Sequence, residues 1–378
     1  MIPLTIPEIS GNEWTYVKEC LDTAWISSAG SYVSKFEEIL SDFTDSTHAV
    51  ACVNGTSGLH LALELSGVSS GDLVIMPNLT FVASANSVQY TGAEPILIDV
   101  CTDSWQFELD LLEEFLEHKT TLTDIGLEFK ENGKLIKAIM PVHVLGNMTE
   151  MDRLIRIAAK YLMPVVEDAS EALGSTYKGR HAGTFGSTGV FSFNGNKIIS
   201  TGGGGMIVSN DEELARRAKH LSTQAKVSPE EYIHDEIGYN YRLVNVLAAI
   251  GVAQMEQLPG FLTKKREIDR FYREQLSGVG DITFQEVIPH VQPNCWLFTF
   301  RTKRMRELLR HLNAHGVQSR PFWRPMNQLP MYSHCHYVQK SDHSGMLYDQ
   351  CISIPSSVGL TKEQMNTVVK TIKTFFQA

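Results

Sequence analysis

From about residue 47, the chain alternates short apolar runs with segments whose apolar residues recur at helical spacing, and this alternation restricts its fold. The sequence predicts strands at 48–53, 72–77, 94–100, 137–144 and 163–170, and helices at 59–68, 81–93 and 149–162. Strands that alternate with helices form a mainly parallel sheet with helices on both faces. Because such sheets bind ligands beyond the carboxyl ends of their strands, functional residues are expected in those loops.

The remainder of the chain predicts a second, smaller unit. A length of 378 residues indicates about two domains. A long helix over 244–258 is placed to connect them, and a charged amphipathic helix follows at 261–278. Beyond about residue 280, strands such as 295–302 mix with helices, which is typical of an α+β domain. We predict a large α/β domain with a mixed, mostly parallel sheet at 1–255 and a small α+β domain at 256–378.

Composition excludes several classes of protein. The formal net charge of −10, from 33 basic and 43 acidic residues, argues against nonspecific nucleic-acid binding. The opening residues MIPLTIPEIS lack a signal-peptide pattern, and no apolar run approaches the ~18 residues of a membrane span. Six scattered cysteines without a C-x-x-C pair indicate reduced thiols in a cytoplasmic protein. The histidines of 332–343 fit no common zinc spacing, so no metal is predicted.

Thr56 and Ser57 lie between Gly55 and Gly58 at the first predicted strand-to-helix turn. Backbone N–H groups at a helix start, together with two hydroxyls, suit a phosphate group. The alternative is a turn with an N-cap, and the turn taken alone favours that interpretation.

Two carboxylates end the predicted strand at 163–170. Because side chains alternate along a strand, Glu167 and Asp168 point to opposite faces, so only one of them can face a site. Glu171 shares a face with Asp168 if a helix begins there. One interpretation is a buried anion that holds a proton on a ring nitrogen, and an equally good one is a helix cap.

A single lysine stands between an aromatic strand and a run of glycines in VFSFNGNKIISTGGGG, which covers residues 190–205. Ser192 precedes Lys197 by five residues, and the glycines let the backbone pass close to a ligand. An amine held in such a pocket loses its proton more easily and attacks a carbonyl. A solvated loop lysine is the weaker interpretation here.

Together, these strand-end groups predict a pyridoxal phosphate site. The cofactor has an aldehyde for Lys197, a ring nitrogen for Asp168, and a phosphate for the hydroxyls and the helix start at Thr56. Such a cofactor supplies the electron sink, and the protein supplies position and electrostatics.

Several motifs in order resemble one known family over nearly the whole chain. They include VNGTSGLHLAL, PNLTFVASANSV, PVHVLGNM, VEDASEALGS, FSFNGNKIISTGGGGMI and EIGYNYRLVNVLAAIG. These motifs are similar to those of the DegT/DnrJ/EryC1/StrS nucleotide-sugar aminotransferases, and most of all to the LegC-like branch. The resemblance implies fold type I of the pyridoxal phosphate-dependent transferases, the architecture of aspartate aminotransferase.

The resemblance also implies roles for individual residues. Lys197 matches the lysine that forms the internal aldimine and later shuttles the proton, and Asp168 matches the aspartate that keeps the pyridinium nitrogen protonated. Glu171 falls where many relatives carry glutamine or histidine beside the ring hydroxyl. The remaining cofactor-binding positions implied are the phosphate contacts Thr56, Ser57 and Ser192, the ring-stacking Phe81, and Asn240, which reaches the phosphate of the neighbouring subunit.

Other residues bear on the substrate and the reaction. Arg320 and Trp323, within SRPFWRP, offer a guanidinium and an aromatic face to a sugar nucleotide, although a surface loop explains them nearly as well. Trp25 resembles a family position at the substrate entrance. Gly203 stands where many members carry glutamate, which we interpret as a trait of the subgroup. Members that remove a sugar hydroxyl replace the lysine with histidine, so Lys197 favours transamination.

The resemblance therefore predicts a homodimer with shared active sites that transfers an amino group from L-glutamate. The acceptor it implies is the 4-keto group of a UDP-4-keto-6-deoxy-N-acetylhexosamine. A sugar dehydratase and a non-catalytic pyridoxal phosphate-binding regulator on the same fold are the alternatives. A plain nucleotide-binding module is disfavoured, because no lysine directly follows a G-x-x-x-x-G motif.

Overall fold

A computed structural model describes residues 1–228 and 230–377. The helices are α1 Glu13–Asp22, α2 Ser31–Thr44, α3 Gly55–Leu65, α4 Val82–Tyr90, α5 Leu109–Lys119, α6 Met151–Lys160, α7 Glu212–Ser222, α8 Asn245–Leu276, α9 Met305–Ala314, α10 His343–Gln350 and α11 Lys362–Gln377. The strands are β1 His48–Cys52, β2 Leu73–Pro77, β3 Glu94–Ile98, β4 Thr120–Thr123, β5 Gly126–Phe129, β6 Leu135–Ile139, β7 Val166–Asp168, β8 Thr176–Tyr177, β9 Arg180–His181, β10 Thr188–Ser192, β11 Gly205–Ser209, β12 Thr283–Phe284, β13 Val291–Gln292, β14 Thr299–Arg301, β15 Arg320–Pro321, β16 Tyr337–Val338 and β17 Cys351–Ser353.

Two sheets join into one curled central sheet. One has the strand order β16-β3-β2-β6-β5-β4 and the other β1-β11-β10-β7. Parallel bridges from Ile139 to Val165 and from Val142 to Asp168 connect β6 to β7. The run from β16 to β10 is parallel throughout, and β11 is antiparallel to both β10 and β1. The predicted mixed, mostly parallel sheet is confirmed.

Both faces of this sheet are buried, which explains the nearly continuous apolar character of its strands. Along β2, Leu73 and Ile75 belong to a core beneath α2, α5, α6 and α8, whereas Val74 and Met76 belong to a core beneath α3, α4 and α7. The alternation of side chains along a strand sends successive residues to these two cores. Because β1, β2, β6, β7 and β10 run in the same direction, their carboxyl ends meet at one edge of the sheet.

The C-terminal part forms its own layer. An antiparallel sheet with the order β12-β14-β17-β15 packs with α9 and α11 around a third core that includes Tyr272, Phe300, Leu308 and Ile352. The predicted strand over 295–302 is wrong in its first half. The N–H of Trp296 binds the side chain of Asn294 at 2.9 Å, and Cys295 has a φ of 56°, so the backbone is not extended there.

The two helices predicted at 244–258 and 261–278 are one helix. The helix α8 runs through Pro259, which lacks an N–H and normally breaks a helix. Buried Leu258, Phe261 and Leu262 flank the proline and continue the apolar face into the core, so packing offsets the lost hydrogen bond. The division of the chain between residues 255 and 256 stays a prediction, and α8 passes through this position.

The described residues include no helix that is long and apolar enough to cross a membrane. All six cysteines have free thiols.

Candidate active site

A cavity of about 260 Å³ opens at the edge where the parallel strands end. It is bounded by the start of α3 and by residues at or after the ends of β2, β6, β7 and β10, where the sequence analysis expects functional residues. Seven of the residues singled out from the sequence line it, namely Thr56, Phe81, Asp168, Glu171, Ser192, Lys197 and Trp323.

The helix α3 begins at this cavity. Asn54 caps the helix, and its side chain accepts a hydrogen bond from the N–H of Ser57 at 2.8 Å. Thr56 lines the cavity, whereas Ser57 is buried beside it. A helix N-terminus attracts anions, so this wall suits a phosphate.

Two glycines allow the chain to pass closely around this helix start. A Cβ on Gly55 would lie 2.8 Å from the Cβ of Ser192, and a Cβ on Gly205 would lie 2.6 Å from the carbonyl carbon of Asn54. Both distances are shorter than side chains tolerate, so β10, β11 and α3 converge only because glycine occupies these positions. Gly205, the last glycine of the run after Lys197, therefore allows β11 to pack closely against the start of α3.

The two carboxylates at the end of β7 point to opposite faces, as the alternation predicts. Asp168 lines the cavity, where its carboxylate accepts hydrogen bonds from the Ser84 hydroxyl at 2.6 Å and the Ser170 N–H at 3.1 Å. Glu167 is fully buried on the other face. Its carboxylate bonds to the Nε2 of His143 and accepts from three backbone N–H groups, those of residues 183, 185 and 186. Glu167 is therefore structural, and Asp168 is free to meet a ligand.

Lys197 and Glu171 face each other across the cavity. The Lys197 side chain is only 10% exposed, and its Nζ lies 3.4 Å from the Oε1 of Glu171. The other oxygen of Glu171 accepts from the N–H of Leu145 at 2.8 Å, and Leu145 adopts a φ of 60° to present that N–H. Burial raises the pKa of Glu171, and the nearby Lys197 partly offsets this shift.

An aromatic wall, formed by Phe81, Trp296 and Trp323, closes the opposite side. Trp323 stacks on Trp296 with a centroid distance of 6.4 Å and an interplanar angle of 16°, and it meets Phe81 edge-on at 6.5 Å. The Trp296 ring lies 4.3 Å from the Nζ of Lys197. Sequence reasoning missed Trp296, although a tryptophan beside a strand signals a buried N–H that needs a partner.

Besides Ser57, three of the predicted site residues lie outside this cavity in the single chain. Trp25 is 57% exposed and its carbonyl accepts from Asn245. Arg320 is exposed on β15, and Asn240 is exposed where it bridges to Thr223. Their roles stay predictions.

The histidine-rich stretch at 332–343 does not gather its histidines. His336 faces Glu131, whereas His343 bonds to the Val100 carbonyl. Among residues 1–228 and 230–377, one group of His, Cys, Asp and Glu side chains has ligand atoms close together, and Arg217 already pairs with one of its carboxylates. That group is His220, Asp235 and Glu236.

Comparison with known proteins identifies this arrangement. The model of the DegT/DnrJ/EryC1/StrS aminotransferase family matches residues 7–373. The chain belongs to this family. It is a sugar aminotransferase with the fold type I architecture, and the closer likeness to the LegC-like branch stays a prediction.

Individual DegT/DnrJ/EryC1/StrS members resemble the chain over nearly its full length. The GDP-perosamine synthase of Escherichia coli O157:H7 is 39% identical, covering 99% of this chain and 98% of that protein. The GDP-perosamine synthase of Caulobacter vibrioides is 37% identical, covering 97% and 96%. The crystal structure of S. venezuelae DesV with a ketimine intermediate has a TM-score of 0.87 and 28% identity, covering 97% and 95%.

The cofactor of this family is pyridoxal phosphate, and the chain depends on it. The residues present fit the group. The cavity offers a shielded amine at Lys197 for the aldehyde, a carboxylate at Asp168 for the ring nitrogen, and a glycine-lined helix start for the phosphate. Lys197, Asp168, Thr56 and Ser192 would hold it.

Proposed function

We propose that this protein transfers an amino group from L-glutamate to the 4-keto group of a 6-deoxy sugar bound to a nucleoside diphosphate. The observation that carries the proposal is the shared cavity of Lys197, Asp168 and the α3 N-terminus. When bound, pyridoxal phosphate supplies an aldehyde that carries the amino group and a ring that takes up the electrons.

Residues of the chain hold and transfer the protons and shield the reacting carbon from water. Asp168, fixed by Ser84 and Ser170, holds a proton on the ring nitrogen. Lys197 removes a proton from the carbon of the amino donor and returns it to the sugar carbon that receives the amine. The shielded position of its amine, between Glu171 and the Trp296 ring, keeps water from the reacting carbon.

Glu171 takes the position beside the ring hydroxyl. Because burial raises the pKa of its carboxyl, a proton stays on this group to a higher pH than on an exposed glutamate. When protonated, this carboxyl would donate a hydrogen bond to the ring oxygen, and the Leu145 N–H would keep its other oxygen in place.

The acceptor enters past the aromatic wall, where the faces of Phe81 and Trp323 suit a sugar or a base. The sequence predicts a UDP-linked N-acetylhexosamine, whereas the relatives named GDP-perosamine synthase favour a GDP-linked sugar. Arg320 and Trp25 belong to the predicted substrate contacts. We propose a cytoplasmic location, in keeping with the free thiols.

A second copy of the chain completes the proposed site. Asn240 lies at the base of a segment that projects from α7, and this segment exposes Tyr232 by 92% and Ile237 by 85%. Large apolar side chains exposed this far favour contact with another protein surface. In the proposed homodimer, Asn240 reaches the phosphate of the neighbouring subunit.

The test starts with the cofactor-loaded protein. We expect a visible absorption band that disappears on addition of L-glutamate and returns when a 4-keto-6-deoxy sugar nucleotide follows, with the GDP and UDP forms compared side by side. Lys197→Ala should abolish the response, and Lys264→Ala, a change at a partly exposed lysine outside the cavity, should preserve it. A band that ignores glutamate but persists would favour the regulator, and loss of a sugar hydroxyl without amination would favour the dehydratase.

A further inference from the structure

Lys265, on α8, is a buried amine outside the cavity. Its side chain is only 3% exposed, and its Nζ donates to the carbonyl oxygens of Trp296 at 2.7 Å and Ser356 at 2.5 Å. No carboxylate of the described residues forms an ion pair with it, and burial lowers its pKa to about 7. Burying an amine without a counter-ion is costly, and an apolar side chain of similar length avoids this cost.

The carbonyl that Lys265 holds belongs to the tryptophan of the aromatic wall. Trp296 is fixed at two further points, because its N–H binds the Asn294 side chain at 2.9 Å and its indole N–H donates to the Asn196 carbonyl at 2.7 Å. Asn196 directly precedes Lys197, so the indole is hydrogen-bonded to the turn that carries this lysine.

The same indole also covers the amine itself. Its ring centre lies 4.3 Å from the Nζ of Lys197, which is cation–π distance, and the ring also stacks on Trp323. Trp296 thus touches both the backbone before Lys197 and the end of its side chain. A shift of Trp296 would release both contacts together.

We propose that Lys265 is a positioning residue that acts through Trp296, holding the indole against Lys197 so that the amine stays sheltered and correctly aimed. The catalytic consequence rests on the proposed function, whereas the sheltering of Lys197 exists without cofactor. The two consequences are therefore tested separately.

The first experiment uses the cofactor-free protein. Lys265→Met keeps the length of the side chain but removes both hydrogen bonds, and Lys264→Met is the matched change at the neighbouring, partly exposed lysine. Trinitrobenzenesulfonate labels lysine amines, and peptide mass spectrometry follows the rate at Lys197. We expect labelling of Lys197 to accelerate about fivefold in Lys265→Met, which is the scale of one lost cation–π contact, and to stay unchanged in Lys264→Met.

A double-mutant cycle tests whether Lys265 acts through Trp296. Trp296→Leu removes the indole and should accelerate the labelling of Lys197 at least as much as Lys265→Met. Once the indole is gone, adding Lys265→Met should change the rate no further. Additive effects, or an unchanged labelling rate in Lys265→Met, would overturn the proposal. Lys265→Leu, which also removes both hydrogen bonds, replaces Lys265→Met if that variant does not fold.

The second experiment separates positioning from plain stability. Replacement of a buried amine by an apolar side chain is often neutral for stability, so we expect the melting temperature of Lys265→Met to stay within about 3 °C of the wild type. In the cofactor-loaded protein, kcat should fall about tenfold with little change in KM for glutamate, since misplacement of Lys197 affects chemistry more than binding. If Lys265→Met lowered the melting temperature by much more than about 3 °C together with kcat, the result would indicate only a structural role and would overturn the proposal. An inactive wild type would refute the proposed function and leave the labelling result valid.

Discussion

The adjacent carboxylates of β7 should respond in opposite ways to the same chemical change. In Glu167→Gln, an amide nitrogen replaces one of two oxygens that together accept from three backbone N–H groups and bond to His143. The nitrogen must face at least one N–H donor in a site without solvent. With about 1.5–3 kcal/mol for each hydrogen bond to a charged group, losing one or two of them costs roughly 1.5–6 kcal/mol of unfolding free energy.

Asp168→Asn should leave stability nearly unchanged. The Asn oxygen keeps the Ser170 N–H, and its amide nitrogen donates to the Ser84 hydroxyl, which accepts as readily as it donates. The unfolding free energy should stay within about 1 kcal/mol of the wild type. Glutamate-driven bleaching of the cofactor band should nevertheless slow by about 10²-fold or more, because an amide does not hold a proton on the ring nitrogen.

Denaturant unfolding of the cofactor-free variants and stopped-flow absorbance of the loaded ones measure the two effects. Comparable destabilisation of both variants would contradict the division of roles, because Asp168 would then be as structural as Glu167. Normal bleaching by Asp168→Asn would contradict the role given to Asp168. The two residues are neighbours on one strand, so general damage to the strand would affect both variants alike. It would not give loss of stability in one variant and loss of bleaching in the other.

Three further perturbations address the cavity and the proposed dimer. Because the raised pKa of Glu171 lies above its ordinary 4.5, the folded protein holds a proton there that the unfolded chain releases, so unfolding free energy should fall as pH rises from 4.5 to the folded pKa. Glu171→Gln should lack this component when the stability–pH curves are subtracted, and superimposable curves would refute it. Gly55→Ala should weaken binding of the cofactor phosphate by about tenfold in a fluorescence titration, whereas Gly195→Ala, whose new Cβ meets nothing within 4 Å, should not. Mixing inactive Lys197→Ala with impaired Asn240→Ala should restore about a quarter of wild-type activity, since random dimers place one intact site in half of the molecules; no recovery would argue against shared sites.

The sequence was most informative where strand periodicity and chemistry coincide. A strand buried on both faces must alternate its side chains, so the opposite directions of Glu167 and Asp168 could be predicted, and the structure confirms them. Ser192 ends another parallel strand and Lys197 follows it, and the strand ends meet at one edge. Local spacing was therefore enough to bring most of the cavity together.

Contacts between distant parts of the chain could not be predicted in this way, because no local pattern in the sequence indicates them. Trp296 donates to a carbonyl 100 residues away along the chain, and the pattern around it predicts only a strand. Its position depends on how the small antiparallel sheet packs against the large one, which local spacing does not encode. At Pro259 the local signal gave a wrong prediction. Proline normally ends a helix, so the pattern predicts two helices, but the packing of α8 keeps one helix continuous through this residue.

The partners of the buried ionisable groups separate structure from chemistry. Glu167 has its carboxylate filled by donors at 2.6–2.9 Å, and Lys265 donates to two carbonyls at 2.5 and 2.7 Å. Lys197 and Glu171 are nearly as buried, yet the contact between them is a loose 3.4 Å, and the Lys197 Nζ makes no closer hydrogen bond to a described residue. Because an unsatisfied buried charge is costly, a fold retains a loose pair only where a ligand supplies the missing partners. The loose contact of the Lys197 amine therefore favours the role proposed for it, and the tight bonds of Glu167 favour a structural role.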